Sequence, residues 1–125
     1  SADPFSRRVI RVSAGSVFSV PVLVAEDMGG AIRALKQVAR CRVYAAVTDR
    51  GSAAFDLCIV PPRRAVLFGS EGSGLPDDLA GLCDEAVHVP MSGAIDSLNL
   101  AVAAGILLQK FSRVDHDPDR PAGFR

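Results

Sequence analysis

Unbroken apolar runs alternate along the chain with stretches in which apolar positions recur every three or four residues. The unbroken runs fit strands buried on both faces, and the three-to-four spacing fits helices that bury one stripe. Ser6 predicts the start of a short helix that buries Val9, Ile10 and Val12 and stops near Gly15, which suits the left-handed backbone beyond a helix end. Val20 to Ala25 predicts a strand. Asp27 predicts the cap of a second helix, with Ile32, Leu35 and Val38 or Ala39 as its apolar stripe and Arg33, Lys36 and Arg40 facing water. Further strands are predicted at Val43 to Val47, Arg64 to Phe68 and Ala86 to Val89. Thr48-Asp49-Arg50-Gly51 is turn chemistry, and the segment onward to Pro61-Pro62 reads as irregular, with a short strand or a helical turn left open around Phe55 to Val60. A short helix is expected from Pro76 to about Leu82 and a final one from Ser97 to about Phe111, its apolar face including Leu98, Val102, Ile106 and Leu107. Hydrophobic strands separated by helices imply an α/β fold, a mostly parallel sheet with helices on both faces.

Composition narrows the class. With 125 residues the chain is one domain, and 49% hydrophobic content supplies a core. No run approaches the ~18 apolar residues of a membrane span, and Ser1-Ala2-Asp3-Pro4 lacks the layout of a signal peptide, so a soluble, cytoplasmic protein without a membrane partner is expected. Fourteen basic and fourteen acidic side chains cancel, so any polyanion must be held locally. Arg7, Arg8 and Arg11 form the densest basic cluster; a solvated helix face is the residue-level reading, with a grip on phosphates as the alternative. Cys41, Cys58 and Cys83 form no CxxC pair, which points to reduced thiols and to neither a disulfide framework nor a metal site. Residues 112–125 are polar and proline-broken and read as a flexible tail.

In open α/β sheets ligands bind beyond the carboxyl ends of strands, which makes the loops 69–76 and 90–97 the candidate site. The first is rich in glycine and is built for contact by main chain. Gly69, Gly72 and Gly74 reverse the spacing of the dinucleotide fingerprint, and no lysine follows as a phosphate-binding loop requires. No nucleophile elbow occurs, and His88 and His116 have no evident serine or cysteine partner. On the residues alone, Glu71 is a loop charge or a cap for backbone N–H groups, Ser97 an N-cap, Asn99 a first-turn polar residue, and His88 takes no role.

Taken together, Leu67-Phe68-Gly69-Ser70-Glu71-Gly72-Ser73-Gly74-Leu75 and Val89-Pro90-Met91-Ser92-Gly93, followed by Asp96-Ser97-Leu98-Asn99-Leu100-Ala101-Val102-Ala103-Ala104-Gly105, closely resemble two signature motifs of the SpoU/TrmH family of RNA ribose 2′-O-methyltransferases, in the SPOUT superfamily. The opening Ala2-Asp3-Pro4-Phe5-Ser6-Arg7-Arg8 and Arg11-Val12-Ser13-Ala14-Gly15-Ser16-Val17-Phe18 are similar to the stretch before the family's second strand, so the likeness covers nearly all of residues 1–111. The resemblance implies a SPOUT-type sheet with a C-terminal deep trefoil knot, and S-adenosyl-L-methionine held in a bent shape within it, largely by backbone. It implies that Gly69, Glu71, Gly72, Val89, Met91 and Leu98 bind the cofactor, with Thr48 or Ala46 at its adenine side. It implies that Glu71, Ser97 and Asn99 stand around the reacting centre as positioning residues. The reaction is attack of a ribose 2′-hydroxyl on a sulfonium methyl, which needs positioning, removal of a weakly acidic proton and exclusion of water, and no metal. Ribosomal RNA is the expected substrate, with transfer RNA second, and a homodimer packed through the last helix is the expected assembly.

One departure matters. The family's first motif, an Asn and a catalytic Arg on the helix after its first strand, has no counterpart in this sequence, and Arg7, Arg8 and Arg11 match a later segment. The chain therefore reads as the C-terminal part of a methyltransferase domain, lacking the first strand and helix and inactive alone. The alternatives are a non-catalytic fragment that dimerises or binds cofactor or RNA, and a nucleotide-binding oxidoreductase domain suggested only by the glycine loop.

Overall fold

Four strands, β1 (Arg42–Ala46), β2 (Ala53–Ala54), β3 (Arg64–Phe68) and β4 (Glu85–His88), form one parallel sheet in the order β2-β4-β1-β3. The coordinates are a computed structural model, which describes residues 3–48, 53–54, 61–91 and 98–113. Around the sheet lie α1 (Arg7–Val12), a 3₁₀ turn at Ser16–Ser19, α2 (Met28–Gln37), α3 (Asp77–Ala80) and α4 (Leu100–Arg113).

Strand β1 lies between two neighbours and is covered on both faces, which demands apolar side chains at successive positions: Val43, Tyr44 and Ala45 are all buried. Tyr44 joins Val87, Leu107 and Phe111 in the core, flanked by Ala46, Val66, Phe68 and Val89. The rings of Tyr44 and Phe111 sit 5.2 Å apart, which seats the end of α4 on the sheet. The Arg64 guanidinium closes that end by donating to the Phe111 carbonyl in the helix's last turn, where carbonyls lack intrahelical partners. Val43 and Ala45 point to the opposite face, and α2, whose Ile32 is buried, lies against β1. The Asp27 carboxylate caps α2 by accepting from Gly30 N at 2.9 Å, and Ser6 caps α1 by accepting from Val9 N at 3.4 Å. Gly15, at φ 80°, takes the left-handed position expected of it.

The amino edge of the sheet is held by one carboxylate. Asp84 accepts from Val43 N at 2.8 Å and from Lys36 Nζ at 2.8 Å, and Lys36 also donates to the Leu82 carbonyl at 2.9 Å. Partial burial opposes ionisation of Asp84, but the lysine and the amide outweigh it and hold the carboxyl below its usual range. Three elements, α2, β1 and the entry to β4, meet at this side chain.

Several expectations change. Val20 to Ala25 forms neither helix nor strand, is exposed, with Leu23 92% accessible, and pairs with none of the described strands. Apolar, β-branched sequence favours an extended backbone, but a strand needs a neighbour to bond, and Pro21 has no N–H to offer one. Helix α1 buries nothing, and Val12 is 76% exposed. In α2 only Ile32 of the expected stripe is buried, Val38 lies beyond the helix at 83% exposure, and Lys36 turns to Asp84 rather than to water. The last helix begins at Leu100 rather than Ser97 and runs past Phe111 to Arg113, with Val102 half exposed. The third strand has the expected bounds, and the other two begin one residue earlier than expected. The open question at 55–60, the residues Ser97 and Asp96, and the tail from 114 lie outside the described residues.

A depressed carboxyl stabilises the fold above the ordinary carboxylate range near ~4, and that contribution is lost as pH falls through the folded value. Asp84→Asn is therefore expected to cost about 1–2 kcal/mol in urea unfolding at neutral pH, with the difference from wild type shrinking on acidification. A difference independent of pH contradicts the assignment.

Candidate functional site

At the end of β3 the chain folds back on itself. Ser70 and Gly74 exchange two backbone hydrogen bonds of 3.0 Å, and the Ser70 hydroxyl lies 2.7 Å from that of Ser73. This closes a small loop with Glu71 and Gly72 at its tip. The closure leaves no room at its base: a Cβ on Gly69 would collide with the backbone of Gly74 and Leu75. Gly74 adopts φ +69°, the left-handed region that glycine enters without strain. Gly69 is thus required by the loop's own closure. Gly72 differs, since a Cβ there would meet nothing within 4 Å.

The loop is tied to α4 by one side chain. The Asn99 oxygen accepts from Ala101 N at 2.9 Å and Val102 N at 3.4 Å, which caps the helix. With its oxygen so engaged, the amide nitrogen faces the other way and donates to Glu71 Oε1 at 2.8 Å. The capping role expected of Ser97 belongs to Asn99, and the Glu71 carboxylate accepts from its amide.

Parallel pairing brings the carboxyl ends of β1, β3 and β4 to one edge, and there the loop after β3 and the start of α4 border an open cavity of about 700 Å³. Gly69, Glu71, Gly72 and Asn99 line it on one side. Val89, Met91 and Leu98 line it on another, and Ala46 and Thr48 at the end of β1 complete the expected set. Ser97 lies outside the described residues. Unforeseen are His88, to which no role was assigned, Phe68, and the wall made by Leu100, Ala103 and Leu107. That wall was legible as an i, i+3, i+7 stripe counted from Leu100; starting the helix at Ser97 obscured it. Arg7, Arg8 and Arg11 do not border this cavity.

Among the described residues Glu71 is the one charged group on the cavity wall, with His88 the one other ionisable side chain, and no lysine or arginine joins them. Among the described residues a pyrophosphate, as in a dinucleotide, would find no cation there, and a ligand with a positive centre would find a carboxylate. The volume lies in the ~300–1,000 Å³ range of small-molecule sites, and the wall mixes apolar side chains with exposed loop backbone. S-adenosylmethionine, a nucleoside joined to a cationic sulfonium, fits this donor set.

Two substitutions separate the roles of the glycines. Gly69→Ala is expected to lower stability by about 2 kcal/mol or more in thermal unfolding, because backbone must move, whereas Gly72→Ala stays within ~0.5 kcal/mol. Equal effects would show that the loop closes differently. At Asn99, Ser keeps an oxygen for the cap without adding charge beside Glu71 and Leu removes it, so Asn99→Leu is expected to cost about 1 kcal/mol more than Asn99→Ser in the same measurement.

Comparison with known proteins agrees with this geometry. The SpoU rRNA Methylase family model matches residues 1–109. A 23S rRNA (adenosine(1067)-2′-O)-methyltransferase of Streptomyces laurentii is 34% identical over 117 residues, which cover 94% of this chain and 42% of that protein. An AdoMet-bound rRNA methyltransferase from Sinorhizobium meliloti superposes with a TM-score of 0.79 at 35% identity, over 90% of this chain and 42% of the other. A structure concerned with 2-OH methylation of C/U34 on tRNA superposes with a TM-score of 0.75 at 28% identity, over 87% of this chain and 69% of the other. The chain spans less than half the length of the curated relatives it matches, 45% and 33% in two of them. With the glycine loop after β3, the end of β4 and the start of α4 converging on one cavity, the chain belongs to the SpoU rRNA methylase family.

Proposed function

We propose that the protein transfers a methyl group from S-adenosylmethionine to a ribose 2′-hydroxyl of RNA, ribosomal RNA ahead of transfer RNA, and that the cavity at the carboxyl edge of the sheet holds the cofactor. The observation that carries the reading is the wall's charge: one carboxylate, fixed by Asn99, and no cation among the described residues. When bound, the cofactor supplies an electrophilic methyl on a positively charged sulfur.

The chain's own residues bind and orient. Gly69 and Gly72 present backbone, while Val89, Met91 and Leu98 supply apolar contact that excludes water, and Thr48 stands at the adenine end. Glu71 faces the positive centre. Asn99 keeps that carboxylate in place, and Ser97 with Asn99 positions the ribose. Holding donor and acceptor in line supplies much of the rate in such a transfer. In the same reading the protein is a cytoplasmic homodimer that uses no metal, with the half-exposed Val102 and Leu108 of α4 meeting the second copy.

The test compares two ligands that differ in one charge. S-adenosylhomocysteine has a neutral sulfur, so by calorimetry Glu71→Gln is expected to weaken S-adenosylmethionine by about tenfold and the homocysteine form by no more than about twofold. Equal weakening of both contradicts the place given to Glu71. For the reaction, the full-length protein is expected to label RNA from a methyl-tritiated donor and to leave 2′-deoxy substrate unlabelled. Labelling of the deoxy substrate would move the methyl to a base.

A further inference from the structure

The cluster that the cavity does not use is the basic face of α1. Arg7 and Arg11 are four residues apart and Arg8 and Arg11 three apart, so all three guanidiniums leave one side of a single helical turn, within about 6 Å along its axis. They are exposed, none is in an ion pair among the described residues, and with Ile10 they line an open depression.

The placement works against local stability. The first turn of α1 holds no acidic residue and begins instead with two arginines, at the end of a helix where carboxylates are favoured. Like charges at these spacings also repel. Everything else about the unit is well made: Ser6 caps it, Ser13 Oγ donates to the Ile10 carbonyl at 3.2 Å, and Gly15 turns the chain into the 3₁₀ turn. A locally unfavourable charge set on a well-capped scaffold fits a surface that meets anions. Phe5, two residues before Arg7, and Phe18, in the 3₁₀ turn that packs on α1, stack at 6.1 Å with an interplanar angle of 23°, and both remain more than half exposed. Exposed aromatic faces next to arginines are the pairing by which single-stranded nucleic acid is held, cations on phosphates and rings on bases.

We propose that Arg7, Arg8 and Arg11, with the Phe5–Phe18 pair, form an RNA-docking surface separate from the cofactor cavity. The proposal rests on RNA being the substrate class. With zero net charge on the whole chain, this segment holds three of its fourteen cations within five positions, and it supplies the electrostatic part of binding that the molecule's overall field does not. The contacts are to phosphate and base face, so they position the strand without reading its sequence.

Binding of fluorescein-labelled oligouridylate is measured by anisotropy across a salt series, with melting temperature as the control for folding. The variant carrying Arg7→Ala, Arg8→Ala and Arg11→Ala is expected to bind at least about tenfold more weakly at low salt, and the slope of log affinity against log salt is expected to fall by about 2, at ~0.7 per phosphate released on a single strand. The triple Arg→Lys variant should keep the slope. Phe18→Leu, which retains packing and loses the ring, should weaken binding about fivefold or more with the slope unchanged. If the wild-type chain binds RNA and the alanine variant binds it with the same affinity and slope, the docking surface is refuted while the RNA reading stands. If the wild-type chain binds no RNA at any salt, the RNA reading fails and this inference with it. A change in self-association by light scattering, with RNA binding intact, would assign the arginines to a protein contact and equally overturn the proposal.

Discussion

An asparagine side chain has two unlike ends, and at position 99 both are committed. The oxygen takes the first free amides of α4, and the nitrogen is thereby aimed at Glu71 on the loop after β3. This couples the orientation of the last helix to the position of the Glu71 carboxylate on the cavity wall. Aspartate would serve the helix equally well but would set a second negative charge against Glu71; alanine would serve neither. The residue type follows from having to satisfy a helix and a carboxylate at once.

The coupling works because the partners are held from elsewhere. Tyr44, Val87, Leu107 and Phe111 seat α4 on the sheet, and Arg64 ties down its far end. The loop that carries Glu71 is closed by its own backbone, which Gly69 permits and any larger residue would prevent. At the opposite edge, Asp84 and Lys36 fix where β1 and β4 begin, and the parallel register carries that alignment through to where they end. Packing and the two half-buried contacts of Asp84 thus set the geometry of a site at the other end of the strands, while the polar groups of the site itself set its shape and charge.

The parts of the fold that the sequence announced are those in which local pattern and tertiary environment agree. Arg64 to Phe68 was read with its observed bounds because a strand covered on both faces must be apolar throughout. Val20 to Ala25 has the same appearance and no partner among the described strands, and nothing in the run itself records whether a neighbour exists. Lys36 was placed in water by helical periodicity, which cannot know that Asp84, 48 positions on, arrives beside it. The motif resemblance groups Gly69, Glu71, Gly72, Val89, Met91, Leu98 and Asn99, and the structure brings these to one cavity, while two reasons lie in local geometry that glycine content does not suggest: Gly69 closes a loop, and Asn99 caps the helix.

The central claim is that the loop from Gly69 to Leu75, the end of β4 and the start of α4 form one preorganised site for a cationic nucleoside cofactor. Amide chemical-shift mapping by NMR during titration with S-adenosylmethionine tests it most directly. The account predicts perturbations concentrated at Gly69 to Leu75, Val89 and Asn99, with Lys36 and Asp84 at the far edge unmoved. Saturating cofactor that leaves those amides unchanged, or shifts centred at the far edge, would contradict it.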